Sequence, residues 1–133
     1  MLVKQISVFL ENKSGRLAEV TRTLGDNNID ISALSIADTT DFGILRLIVD
    51  KPEKAEEVLK AEGFTVSSTS VIAIRVQDKP GGLAQALGVL DKENVDIEYM
   101  YAFVSKTEDE ALVILRVIEN DRAIAALKDI SLK

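Results

Sequence analysis

The sequence predicts an α+β chain in which one βαββαβ unit is used twice. Three observations carry that prediction. The stretch ENKSGRLAEV, beginning at Glu11, returns 66 positions later as QDKPGGLAQA, with Lys, Gly, Leu and Ala in the same register. Apolar residues alternate just before each copy, at Ile6, Val8 and Leu10 and again at Ile72, Ile74 and Val76, as in a strand with one buried face. Behind the first copy Leu17, Val20 and Leu24 recur at helical spacing, and Leu24 has its counterpart in Leu90. A repeat of this length marks a duplicated structural unit.

The elements follow in order. The first strand turns Ile6, Val8 and Leu10 one way and Ser7, Phe9 and Glu11 the other. A turn at 12–15 leads into a helix, with Ser14 as its N-cap and Asp26-Asn27-Asn28 as its end. A strand runs from Asp30 to Ala37, and a loop from Asp38 to Asp41 leads to another strand from Gly43 to Val49. The second helix opens near Pro52, buries Ala55, Val58 and Leu59, and stops at Gly63; Phe64 to Ser68 closes the unit as a strand. This is the ferredoxin-like order, which gives a four-stranded antiparallel sheet with both helices on one face.

The second copy repeats the pattern through Asn94 and Asp96-Ile97, the counterparts of Asn28 and Asp30-Ile31. A four-residue insertion then brings Ile114-Leu115-Arg116 opposite Ile44-Leu45-Arg46, which puts Arg46 and Arg116 at one place in the third strand. Such an Arg either lays its stem over the open face of the sheet or forms a salt bridge across an interface. Phe9, Tyr99, Tyr101 and Phe103 are the aromatic candidates for contacts on that face. The domains are expected at 1–68 and 69–133, with almost no linker. After a helix from Arg122 to Lys128, residues 129–133 leave a last strand that is short or missing, and an under-covered edge is a pairing hazard or an oligomer contact.

Composition narrows the chemistry. Among 133 residues there is no Cys, no His and no Trp. Disulfides, thiol nucleophiles and His-based triads are therefore excluded, and so is the commonest metal ligand. The carboxylates are scattered over loops and polar helix faces, so neither a metal site nor an acid–base pair is expected, and the chain is not expected to be an enzyme. The net charge of −6 repels phosphate backbones and argues against nucleic acid as a partner. No apolar run reaches the length that spans a bilayer, and the start at Met1 lacks a signal-peptide pattern. These features point to the cytoplasm and away from the membrane.

The turns ENKSGRLAEV and QDKPGGLAQA, followed by NNIDIS and ENVDIE within a βαββαβ unit, resemble the ACT domain, and the whole chain resembles the tandem ACT proteins. Asp78-Lys79-Pro80-Gly81-Gly82-Leu83 is similar to the family's Asn/Asp-x-Pro-Gly-x-Leu turn. The resemblance implies allosteric sensing of a small molecule, most often an amino acid, at interfaces between domains. It also implies a homodimer, and no cofactor. An alternative is a regulatory subunit whose ACT domains dock a metabolic enzyme, with the ligand secondary.

A helix that opens on a glycine turn leaves backbone N–H groups free and carries partial positive charge there, so a carboxylate is attracted. The candidate ligand-binding residues are Asn12, Lys13, Ser14, Gly15, Arg16 and Leu17 in the first turn, and Asp78, Pro80, Gly81, Gly82 and Leu83 in the second. The α-carboxylate is expected on the N–H groups of 14–17 or 80–83, and the ammonium near Asn12 or Asp78. The resemblance implies a second polar contact at the start of the next strand, which carries Asp30 and Asp96, supplied by a facing domain. A purely structural reading stands beside this one: the glycines turn strand into helix, and the Asn and Asp residues bond their own backbone. The copies also differ. Arg16 favours the first turn as an anion site, while Gly82, with no side chain, either admits a ligand with more bulk near the backbone of the second or serves mainly as packing.

Overall fold

The computed structural model describes residues 2–11, 15–38, 42–103 and 109–128. Ten elements follow one another: β1 (Leu2–Glu11), α1 (Arg16–Asp26), β2 (Ile31–Asp38), β3 (Phe42–Val49), α2 (Pro52–Ala61), β4 (Thr65–Gln77), α3 (Gly82–Lys92), β5 (Ile97–Ala102), β6 (Glu110–Val117) and α4 (Asn120–Leu127). The chain is thus α+β, with its elements in the order the duplicated unit predicts. The expected short last strand at 129–133 lies outside the described residues.

Two compact units result. One holds Lys4–Ser70; the other holds Val71–Lys133 together with Met1–Val3. No loop separates them, because β4 is a single strand of 13 residues that closes the first repeat and opens the second. The expected boundary after residue 68 falls inside that strand.

In the first unit β3 lies between β1 and β2, antiparallel to both, with Val8 opposite Leu45 and Leu34 opposite Leu47. In the second, β6 lies between β4 and β5 in the same manner, with Ile74 opposite Val113 and Met100 opposite Leu115. Alternation along β1 puts Ile6, Val8 and Leu10 in the core, while Phe9 on the other face is 46% exposed. Val20 and Leu24 of α1, and Ala55 and Leu59 of α2, cover that core. Ala86 and Leu90 of α3, and Ala123 and Leu127 of α4, do the same in the second unit. Each small unit therefore has its own buried cluster.

The register corrects one alignment. Val8 and Ile74 are counterparts, and their partners are Leu45 and Val113. Residue 45 therefore matches 113, and the second copy is longer by two residues, not four. The helices agree, since Ala55 and Leu59 occupy the core positions of Ala123 and Leu127. Arg46 thus corresponds to Ile114, not to Arg116. A slip of two residues keeps every side chain on its face, so the recurring Ile-Leu-Arg triplet fits the hydrophobic pattern while standing about 7 Å out of place. Arg116 pairs with Glu98 of its own unit at 3.3 Å, and beside it the rings of Tyr99 and Tyr101 stack at 6.5 Å.

Candidate functional site

Both strand-to-helix turns close on a glycine in the same left-handed conformation: Gly15 at φ 88°, ψ −9° and Gly81 at φ 87°, ψ −10°. Each is the N-cap of its helix, and neither helix has a side-chain cap there. An L-residue is disfavoured at such a φ, which explains the glycine. A Cβ at either position would meet nothing within 4 Å, so the space beside both turns is open. Leu17 and Leu83, 41% and 38% exposed, add apolar surface next to that space.

The second turn is described throughout. Its backbone is tied down on both sides: the Asp78 N–H donates to the Asp109 carbonyl at 2.9 Å, and the Lys79 N–H to the Gln77 carbonyl at 2.9 Å. The Gly82 N–H donates to the Lys79 carbonyl at 3.0 Å, and Pro80 has no N–H to give. Gly81, Leu83 and Ala84 carry N–H groups that have no backbone acceptor among the described residues. Free donors for a carboxylate thus include Gly81 and Leu83, within the expected 80–83, and Ala84 one residue beyond.

At Gly82 the packing alternative holds. A Cβ there would lie 2.0 Å from the Gln77 carbonyl oxygen. The glycine lets the helix start pack on the strand end, and it opens no room for a ligand. Arg16 carries a side chain at the equivalent place in the first copy.

Of the first turn's candidates, Asn12, Lys13 and Ser14 lie outside the described residues. The N-cap is Gly15, where the sequence suggested Ser14. Arg16 is committed: Nη1 contacts Glu19 Oε2 at 2.7 Å, Nη2 lies 3.7 Å from Glu11 Oε1, and the guanidinium sits 4.8 Å over the Phe64 ring. Two carboxylates already balance the charge that was expected to favour an anion at this turn.

Asp30 and Asp96 are exposed and precede β2 and β5. Neither is brought to the turn of its own unit. The neighbouring Ile31 pairs with Val49, whereas Glu11 pairs with Phe42, so the eight residues of β3, about 23 Å, separate them. The second unit repeats this, with Ile97 opposite Val117 and Gln77 opposite Glu110. Asp30 is also tied locally, its N–H donating to Asp50 Oδ1 at 2.9 Å.

The second unit holds a groove that the sequence did not signal. Asn94, Val95, Asp96, Ile118, Glu119 and Arg122 line a volume of about 240 Å³ where the loop before β5 meets the start of α4. Among the described residues no cluster of three or more acidic side chains could hold a metal ion, and no helix is long and apolar enough to cross a membrane.

The family model of the ACT domain pair matches residues 1–132. The chain belongs to the ACT domain-pair family. This ACT pair is 49% identical to protein BT0572 from Bacteroides thetaiotaomicron, whose crystal structure superposes with a TM-score of 0.91 over 97% of this chain and 88% of that one. It shares its fold with the ligand-free regulatory subunit of aspartate kinase from Thermus thermophilus, at 16% identity and a TM-score of 0.71, covering 97% and 96% of the two chains. The corresponding subunit from Thermus flavus gives 16% and 0.65, over 97% of this chain and 94% of that one. No curated protein matches the chain significantly in sequence.

Proposed function

We propose that this ACT pair is a small-molecule-sensing regulatory protein that binds a free amino acid at its glycine turns, and that it is not an enzyme. The observation that carries the reading is the second turn: a left-handed glycine with open space beside it, followed by the N–H groups of Leu83 and Ala84 with no backbone acceptor among the described residues. The α-carboxylate binds these donors, helped by the partial positive charge of the helix start. Asp78 lies just before the turn and accepts from the ammonium, and Leu83 meets the ligand side chain. The first turn, from Asn12 to Leu17, is the homologous site.

Each unit keeps its turn and its Asp30 or Asp96 at opposite ends of the sheet. The aspartate that completes a site therefore comes from a facing domain, and the protein acts as a homodimer. Solved proteins with this fold include regulatory subunits of aspartate kinase, which supports a role in controlling a metabolic enzyme, here assigned to the cytoplasm.

Thermal melting with each of the twenty amino acids tests the reading. A ligand bound only by the native state raises the midpoint with concentration, adding about 2.7 kcal/mol at a hundredfold excess over Kd. At least one amino acid is expected to do so, and Asp78→Ala to reduce the shift. If no amino acid moves the midpoint, docking of a partner enzyme replaces sensing.

A further inference from the structure

The two copies serve as internal controls for one another, and one difference between them is chemical. In the first unit the corner between the end of α1 and the start of α2 is stitched shut by side chains. Asp50 supplies a carboxylate: its Oδ1 accepts the Asp30 N–H at 2.9 Å. Lys51 supplies an ammonium: its Nζ donates to the Asn28 carbonyl at 2.7 Å. Lys54 adds a second bond, to the Asn27 carbonyl at 3.1 Å.

The same corner of the second unit keeps the backbone and loses two of the three side chains. Asn94 repeats the left-handed conformation of Asn28, at φ 55° against 58°. Arg122 replaces Lys54, and its Nη2 donates to the Glu93 carbonyl at 2.6 Å. Ile118, however, stands in the place of Asp50, and Glu119 in the place of Lys51. Among the described residues the Asp96 N–H and the Asn94 carbonyl therefore have no counterpart of the bonds that Asp50 and Lys51 make. The groove of about 240 Å³ opens at this corner.

We propose that this groove binds a free α-amino acid, at a site separate from the glycine turns. The ligand brings the two groups the second copy has lost. Its α-carboxylate takes the place of the Asp50 carboxylate on the Asp96 N–H, beside the Arg122 guanidinium. Its ammonium takes the place of the Lys51 ammonium at the Asn94 carbonyl, beside Glu119, an anion where the first copy has Lys51; the exposed Glu119–Arg122 pair, at 3.4 Å, opens to the ammonium and carboxylate of the ligand. The Asp96 side chain does not forbid the carboxylate, since the first unit holds Asp50 beside Asp30 in the same geometry. Ile118, 73% exposed, offers apolar contact to the ligand side chain.

The site stands at the opposite end of the sheet from Asp78–Leu83, so backbone amide shifts of the labelled full chain separate the two. Each of the twenty amino acids is titrated while the Asn94, Asp96 and Glu119 amides are followed. At least one is expected to give saturable shifts there, with at least tenfold weaker binding for its N-acetyl derivative and for its amide, which lack the ammonium and the carboxylate respectively. Ile118→Asp with Glu119→Lys restores the stitch of the first copy. That variant is expected to melt no lower than the wild type and to lose the groove shifts, while any shifts at Leu83 and Ala84 persist. Absence of saturable shifts at the groove overturns the proposal, and so does equal binding by the stitched variant. Shifts at Leu83 and Ala84 alone overturn it while leaving the turn site standing.

Discussion

Gly81 and Gly82 are adjacent glycines required for different physical reasons, and substitution separates them. Alanine at Gly81 meets no atom but must hold a φ of 87°, at a cost of about 1–2 kcal/mol. Alanine at Gly82 drives a Cβ to 2.0 Å from a backbone oxygen, and the helix start must move, which costs about 1–3 kcal/mol as overpacking does elsewhere. Denaturant unfolding is expected to show both losses. Only Gly82→Ala is expected to displace the Asp78 and Lys79 amide resonances, because it pushes the helix off the strand end. At the same scale, Leu24→Ala and Leu90→Ala remove counterpart side chains, both fully buried, and each is expected to destabilise by about 2–5 kcal/mol. The glycines were legible in the sequence as turn formers. For Gly82 the sequence left room for a ligand and packing both open, and it could not choose between them because it does not show that the Gln77 carbonyl stands against the glycine.

Elements were the most legible level. Alternation and 3.6-residue spacing report which face meets the core, and the faces of β1 and α1 follow directly from Ile6, Val8, Val20 and Leu24. Register was less legible, because a two-residue slip leaves that pattern unchanged and the Ile-Leu-Arg triplet rewards the wrong alignment. Cysteine pairs check the register, as the chain has no Cys of its own. Arg75 lies opposite Leu112, so Arg75→Cys with Leu112→Cys is expected to close a disulfide under mild oxidation. Arg75→Cys with Ile114→Cys, two residues out of register, is expected to stay reduced. The groove at Asn94–Arg122 left no signal in the periodicity. It lies where Ile118 and Glu119 stand in place of Asp50 and Lys51, and its meaning becomes visible only when the bonds of Asp50 and Lys51 are known.

For the molecule as a whole, duplication supplies two cores and two turns, while each turn stands far from the aspartate of its own unit. That separation calls for a facing domain to complete each site, and the proposed homodimer is tested by mass. Sedimentation is expected to give a mass of about 29 kDa, against 14.5 kDa for one chain; Asp30→Asn is expected to weaken the ligand while leaving this mass unchanged. The central claim is narrower: the carboxylate of a free amino acid binds the start of a helix behind a glycine turn. It is tested most directly by titrating the isotope-labelled protein with the twenty amino acids and following the Leu83 and Ala84 amides. The account predicts saturable shifts of both for at least one amino acid, abolished when its carboxylate is converted to an amide. It is contradicted if both resonances stay fixed for all twenty, or if the amide moves them as far as the acid.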